Sequence, residues 1–79
     1  MQLYAGLDLH SRNTYISIMD KEFKRVFGKR VSNKLPLILE ALDPFRDRLK
    51  GIVVESTFNW YWLIDGLMDA GYGSRNNPG

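Results

Sequence analysis

Apolar and polar positions in the first part of the chain predict three successive strands. Apolar residues fill most of Leu3–Leu9, which is typical of a strand buried on both faces of a sheet. Residues 14–19 alternate and include β-branched and aromatic side chains, and a third strand is predicted over residues 23–31. Polar residues at 10–13 and 20–21 indicate tight turns between them. The three strands therefore form an antiparallel meander.

The pattern then changes to helical spacing. The apolar residues at this spacing are Leu35, Ile38, Leu39 and Leu42. Ser32 or Asn33 is expected to cap the helix, and Pro36 fits its first turn, where a missing N–H costs little. A proline inside a helix costs about 3 kcal/mol, so the Asp-Pro pair at Asp43 breaks the helix. We expect Asp43 to cap a short turn that continues through Arg48.

A fourth strand and a second helix follow. Residues 52–54 predict a short strand, again buried on both faces, that ends at Glu55. Ser56 or Thr57 is expected to cap a helix over residues 58–70, and Gly71 is suited to end it. The large side chains of this helix are more typical of core and interface than of a cofactor site. They are Trp60, Tyr61, Trp62, Leu63, Ile64, Leu67 and Met68.

The resulting element order is β-β-β-α-β-α, which predicts an α/β fold with a mixed sheet. A strand that returns through a helix lies parallel to another strand of the same sheet. The first strand is the expected neighbour, because it shares the apolar character of residues 52–54. The predicted strand order is therefore 3-2-1-4.

Composition narrows the class to one small domain. The chain has 79 residues, of which 44% are hydrophobic, and a chain of this length buries about 60% of its unfolded surface. It has no cysteine, which excludes disulfides and thiolate metal sites. Together with the lack of a signal peptide, this composition is typical of the reducing cytoplasm. No apolar run is long enough to span a membrane.

One carboxylate interrupts the apolar run of the first strand. Asp8 lies between Leu7 and Leu9, and a buried, unpaired carboxylate is costly unless it binds a metal or does chemistry. Glu55 ends the fourth strand, and acids at the same level of strands about 4.8 Å apart can share one ion. Carboxylates and waters suit Mg²⁺ or Mn²⁺, and Gly6 leaves room above Asp8. The alternative is that both acids are ordinary carboxylates at strand ends.

The net charge of +2 hides a basic segment. Between residues 21 and 34 the chain has six basic side chains and a single acid. Four of the basic residues are predicted to lie on the hairpin of the second and third strands, away from the two acids: Lys24, Arg25, Lys29 and Arg30. Alternation places Arg25, Phe27 and Lys29 on one face. The segment suits phosphate contacts, or equally an edge strand whose charges prevent aggregation.

Two stretches of the sequence resemble a known family. The segments YAGLDLHSRNTYISIMD and GIVVESTFNWYWLIDGLMDAGY are similar to the N-terminal domain of DEDD transposases of the insertion-sequence one-ten family, relatives of the Piv invertase. The resemblance covers residues 3–72. The triplet Gly-Leu-Asp in the first strand is shared with sugar kinases and actin-like ATPases, whereas VVESTFNWYWL is much more specific.

The resemblance implies a ribonuclease-H-like (RuvC-like) fold in which four acids, D-E-D-D, hold Mg²⁺ or Mn²⁺. Asp8 matches the first acid and Glu55 the second. In the family the last two acids and a serine nucleophile belong to regions that follow residue 72, and Asp65 and Asp69 are not matched to them. Residues 1–72 would then form a partial domain without the later strands. Residues 73–79 do not resemble the family's continuation and are expected to be a flexible tail.

The implied activity is metal-dependent DNA cleavage and strand exchange in DNA transposition. The implied partners are DNA and a structured RNA encoded by the element. A homo-oligomer is also expected, through the open edge of the fourth strand or through the aromatic helix with Trp60 and Trp62. With two of the four acids, this chain by itself is expected to be inactive. Two alternatives stay open. One is a phosphate-binding fold of the actin and sugar-kinase type, although DLHSRN lacks the glycines of such turns. The other is an inactive structural remnant.

Overall fold

A computed structural model of the protein describes residues 2–56 and 59–72. Its strands are β1 (Leu3–Leu9), β2 (Asn13–Asp20), β3 (Arg25–Ser32) and β4 (Leu49–Ser56). The helices are α1 (Leu35–Leu42), a 3₁₀ helix that follows it directly (Asp43–Arg48), and α2 (Tyr61–Asp69). Thr57 and Phe58, predicted as a cap and a helix start, and the predicted tail 73–79 lie outside the described residues.

The four strands form one mixed sheet in the order β3-β2-β1-β4. β1 is antiparallel to β2 and parallel to β4, and β2 is antiparallel to β3. In the centre of the sheet Leu7 lies opposite Ile16 on one side and Val54 on the other. The predicted element order, the strand order 3-2-1-4 and the parallel pairing of the first and fourth strands are therefore confirmed.

Both helices pack on the same face of this sheet. The core combines alternate residues of the central strands with the inner sides of the helices: Leu3, Leu7, Ile16, Ile18, Ile38, Leu42 and Leu63. On the other face of β1 and β4, Tyr4 is 36% and Val53 62% exposed. The prediction that these strands are buried on both faces is wrong, because neither α1 nor α2 lies over the second face. We call this second face, which carries Tyr4, Gly6 and Asp8, the open face.

The first helix begins differently from the prediction. Lys34 precedes α1, and no side chain caps it. Asn33 instead donates from Nδ2 to the carbonyl oxygen of His10 and accepts a hydrogen bond from the hydroxyl of Thr14, each at 2.6 Å. The predicted cap is wrong because this side chain ties the β1–β2 turn to the end of β3. The predicted break at Asp43 is confirmed, but Asp43 makes no capping bond.

The second helix is shorter at its start and ends as predicted. Ser56 belongs to β4, and α2 begins only at Tyr61, whose N–H donates to Oδ1 of Asn59. Gly71 has a φ of 97°, and its N–H donates to the carbonyl of Met68 at 3.0 Å. The next N–H reaches back to Leu67 at 2.9 Å, which completes a Schellman cap.

The side chains of α2 divide into a buried and an exposed set. Leu63 and Leu67 are buried in the core. Trp60 and Trp62 are each 37% exposed, and Tyr61 is 67% exposed. The core part of the prediction is confirmed for the two leucines, and the three aromatic residues are half-exposed or exposed rather than part of the core.

Within residues 2–56 and 59–72, no helix has the length and apolar character needed to cross a membrane.

Candidate metal and nucleic-acid site on the open face

Asp8 and Glu55 lie side by side on neighbouring parallel strands. They are Cα partners in the β1–β4 ladder, which places both side chains on the same face of the sheet. Each is close to the carboxyl end of its strand, since β1 ends at Leu9 and β4 at Ser56. Neighbouring strands are about 4.8 Å apart, so the two carboxylates are adjacent at one level of the open face.

Asp8 is neither buried nor unpaired. Its side chain is 55% exposed, and its Oδ2 lies 3.1 Å from Nε2 of His10. The interpretation of Asp8 as a buried acid is wrong, because the face of β1 that it occupies has no helix over it. The apolar neighbours that suggested burial, Leu7 and Leu9, point to the other face. An exposed position leaves this carboxylate accessible to a ligand from solvent.

The contact with His10 was not predicted from the sequence. His10 follows β1 directly and is two residues from Asp8, so the period of a strand places both side chains on one side. This spacing was the available signal. The imidazole occupies Oδ2, and within the described chain Oδ1 of Asp8 has no hydrogen-bond partner. One oxygen of the carboxylate is therefore free for a second ligand.

The surface beside the two acids is open. Gly6 lies one step back along β1 and pairs with Ser17 and Val53. A Cβ built on Gly6 would meet no atom within 4 Å, which agrees with the room expected above it. The surface next to the two acids is therefore not covered at Gly6.

The ligand set within the described residues is small. No group of three or more His, Asp or Glu side chains is arranged there to hold a metal. Mg²⁺ is commonly bound by one or two carboxylates, with waters and substrate phosphates completing its shell. Asp8 and Glu55 match that donor chemistry, and the open surface leaves space for the remaining oxygen ligands. The two acids therefore fit a divalent cation that is shared with a phosphate.

A basic residue lies in the same row of the sheet as the two acids. Asp8 is opposite Tyr15 in the β1–β2 ladder, and Tyr15 is opposite Arg30 in the β2–β3 ladder. Together with Glu55, these side chains form a row across all four strands of the open face. Arg30 is two strand spacings, or about 10 Å, from Asp8. The prediction that the basic residues lie away from the acids is therefore wrong for Arg30.

A β-bulge brings a second arginine to this face. Phe23 has a φ of 65°, so β3 begins at Arg25 rather than at residue 23. Ile18 pairs with Phe27 while Met19 pairs with Arg25, which leaves Val26 as an extra residue in β3. The extra residue reverses the alternation. Arg25 therefore shares the open face with Arg30, and the predicted grouping of Arg25 with Phe27 and Lys29 is wrong.

Tyr15 contacts Arg25 and pairs with Arg30 in the β2–β3 ladder. Its hydroxyl accepts a hydrogen bond from Nη1 of Arg25 at 3.0 Å, and the guanidinium carbon is 5.4 Å from the ring centroid. The hydroxyl end of the ring lies over Gly28, where a Cβ would clash with it. Within the described chain no carboxylate forms an ion pair with Arg25 or Arg30. Their positive charges are available to an anionic ligand.

The other two basic residues lie elsewhere. Lys29 pairs with Ile16 and points to the helical face, where it lines a groove with Phe27 and Phe45. Its long side chain covers apolar surface there while its ammonium group reaches solvent. Lys24 is exposed in the β2–β3 turn. The four predicted basic residues therefore form no single surface, and the edge-protecting role fits Lys29 best.

Compared with protein-family models, curated proteins and solved structures, the chain matches none of them. Its function is therefore argued from the acids, arginines and tyrosine of the open face and from the topology that positions them.

Proposed function

We propose that residues 1–72 form the N-terminal, ribonuclease-H-like part of a DNA recombinase of the DEDD transposase type. The observation that carries this proposal is the pairing of Asp8 with Glu55 on parallel strands of a 3-2-1-4 sheet. These are the two positions at which the sequence resembles the acids of that family. The order of three strands, a helix, a fourth strand and a second helix supports the same fold.

In this proposal Asp8 and Glu55 bind Mg²⁺ or Mn²⁺ at the scissile phosphate. A bound divalent cation stabilises negative charge on the phosphate and orients the attacking group. The chain's own contribution is to hold two carboxylates at one level, with Oδ2 of Asp8 fixed by His10. Two acids alone hold such an ion weakly, so the chain is proposed to be inactive without the later acids of the family.

The arginines of the open face would hold the DNA backbone. Arg25 and Arg30 lie on β3, at the opposite side of the open face from Glu55. Phosphates on these side chains would lead a strand across Tyr15 towards the two acids. A structured RNA is a second proposed partner, because its phosphates offer the same charge. A cytoplasmic location is part of the same proposal.

Self-association is also proposed. In the described part of the sheet no strand pairs with the outer edge of β4, where Val53 is 62% exposed. An apolar strand edge is a template for pairing with another chain. Sedimentation equilibrium should show a dimer at micromolar concentrations. A monomer throughout the high micromolar range would contradict the proposal.

The experiment that tests the proposed function compares DNA binding with Mn²⁺ and with EDTA. Without a cation, Asp8 and Glu55 repel the phosphates; with one they attract them. We expect Mn²⁺ to strengthen binding of a fluorescent DNA by the natural chain, and to do so less for Asp8→Asn and Glu55→Gln. Asp47→Asn, which removes an exposed carboxylate of the 3₁₀ helix, is the matched control. An equal Mn²⁺ response in all four proteins would refute the proposal.

Mn²⁺-dependent binding of ATP but not of DNA would favour the phosphotransferase type of fold.

A further inference from the structure

A small cavity opens at the carboxyl end of β1, next to the candidate acids. Its volume is about 150 Å³. It lies between the β1–β2 turn, the end of β3 and the start of α2, and is lined by Leu9, His10, Ser11, Asn33, Asn59 and Trp62. His10 also contacts Asp8, so the cavity and the pair of acids share a side chain.

Two hydrogen-bonded asparagines hold the walls of this cavity in place. Asn33 bridges the carbonyl of His10 and the hydroxyl of Thr14, which is fully buried. Asn59 accepts the N–H of Tyr61 on its Oδ1, which fixes it at the first turn of α2. These hydrogen bonds fix the side chains of the two asparagines that line the cavity.

The lining combines apolar side chains with unused hydrogen-bonding groups. Trp62 is 37% exposed and Leu9 is buried. Within the described residues, Nδ2 of Asn59 and Oγ of Ser11 have no hydrogen-bond partner, whereas both ends of the Asn33 amide are occupied. An aromatic wall beside amide and hydroxyl groups suits a planar ring with polar edges, which is the chemistry of a nucleobase.

The size of the cavity limits which base it takes. A volume of about 150 Å³ matches one benzene-sized ring, so a pyrimidine fits inside the cavity, whereas the fused rings of a purine would extend out of it. We propose that this cavity binds one unpaired pyrimidine base of a DNA strand that lies along the open face. The choice of DNA as ligand rests on the proposed function. The choice of an unpaired pyrimidine rests on the cavity itself.

Fluorescence of Trp62 tests this directly, because the chain has two tryptophans. In the Trp60→Phe protein Trp62 is the remaining one. Oligo(dT) titrated in EDTA should quench its fluorescence and bind about tenfold more tightly than oligo(dA), within the range expected for one base stacked on an aromatic ring. Absent quenching, or equal affinity for the two oligonucleotides, would overturn the proposal.

A matched pair of variants distinguishes binding in the cavity from nonspecific binding to an exposed tryptophan. Trp62→Leu should lose the preference for oligo(dT), whereas Trp60→Leu, which changes an equally exposed tryptophan outside the cavity, should keep it. Equal losses in both would overturn the proposal. Circular dichroism confirms that each variant is folded, and Trp62→Phe, which retains an aromatic wall, should keep most of the preference.

Two further measurements complete the test. One distinguishes DNA from RNA as the ligand, and the other tests the cavity separately from the proposed metal-dependent function. Tighter binding of oligo(U) than of oligo(dT) would make RNA the ligand and overturn the assignment to DNA. The oligo(dT) preference is measured in EDTA, where no cation is bound, so it is read independently of the Mn²⁺ response. If that preference is present while Mn²⁺ has no effect on DNA binding, the cavity is supported and the metal proposal fails. If Mn²⁺ strengthens DNA binding but oligo(dT) is not preferred, the cavity proposal is overturned and the metal proposal is not.

Discussion

The side-chain amide of Asn33 accepts the hydroxyl hydrogen of Thr14 at 2.6 Å, across the gap between the end of β3 and the start of β2. Thr14 is 0% exposed, so no solvent can replace this acceptor. The same amide donates to the carbonyl of His10. One side chain therefore fixes the turn that carries His10 and, through it, the orientation of Asp8.

Asn33→Ala should lower the free energy of unfolding by about 2 kcal/mol, because it leaves a buried hydroxyl without a partner. Urea denaturation measures this change. Thr14→Val in the Asn33→Ala background should recover part of the loss, since it removes the unsatisfied hydroxyl itself. Additive losses in the double variant would show that the hydrogen bond contributes nothing to stability.

The two faces of β3 provide a matched test of the basic residues. Arg30→Ala and Lys29→Ala each remove one positive charge from adjacent positions, but only Arg30 lies on the open face. Each phosphate contact contributes about −0.9 to the slope of log affinity against log salt on duplex DNA. Arg30→Ala should therefore weaken DNA binding and reduce the slope by about one, whereas Lys29→Ala should change neither.

These slopes are measured in a salt series. The proteins compared are the natural chain, the two single variants and the double variant Arg25→Ala/Arg30→Ala. The double variant should lose about two units of slope. Replacing Lys24, Arg25, Lys29 and Arg30 together should then add little to that loss. Equal effects of Lys29→Ala and Arg30→Ala would contradict a binding surface on the open face. Unchanged DNA affinity in the fourfold variant would mean that the four basic residues only protect the edge strand from aggregation.

Two glycines should respond to alanine with opposite signs. Gly71 has a φ of 97°, and a Cβ there would lie 2.7 Å from the guanidinium of Arg46. Gly71→Ala should therefore destabilise the protein by about 1 kcal/mol. Gly6 sits in a strand with nothing near its Cβ, and Gly6→Ala should stabilise by up to about 1 kcal/mol. Thermal denaturation measures the change in stability of each variant. Changes of the same sign would contradict the explanation from backbone conformation.

The β2–β3 turn should lose stability in acid. The N–H of Lys24 donates to the carboxylate of Asp20, as does that of Glu22, and these bonds lower the pKa of Asp20 from its ordinary value of 3.8. A lowered pKa means that the contribution to stability is complete above pH 3.8 and is lost as the pH falls through the folded-state value. An NMR titration of Asp20 should show this pKa. Asp20→Asn should remove the corresponding pH dependence, and a pKa at or above the ordinary value would contradict it.

The sequence predicts the sheet for two reasons. The hairpins pair strands that are adjacent in sequence, and chirality fixes the handedness of the crossover between the parallel strands. The apolar runs of Leu3–Leu9 and residues 52–54, with a helix between them, predict the parallel pair, and the tight turns of the three-stranded meander complete the order 3-2-1-4. The pairing of Asp8 with Glu55 follows from the same two runs. Their exposure does not, because an apolar run alone does not show how many faces the helices cover.

The remaining differences come from single residues whose effect depends on tertiary structure. The left-handed conformation of Phe23 and the extra residue Val26 move Arg25 to the open face, and neither has a marked sequence signal. Asn33 resembles a helix cap but bonds to His10 and Thr14 instead. The cavity at Trp62 depends on where α2 begins, which periodicity does not fix to within a turn.

A Mn²⁺ titration followed by electron paramagnetic resonance tests most directly whether Asp8 and Glu55 bind one divalent cation together, as we propose. The natural chain, Asp8→Asn, Glu55→Gln, the double variant and Asp47→Asn are compared. If the ion is shared, each single variant should lose at least about tenfold in affinity, since even indirect partners of metal ligands contribute that much. The double variant should then lose little more, and Asp47→Asn should match the natural chain. Unchanged affinity in either single variant, or losses that simply add, would contradict a shared ion.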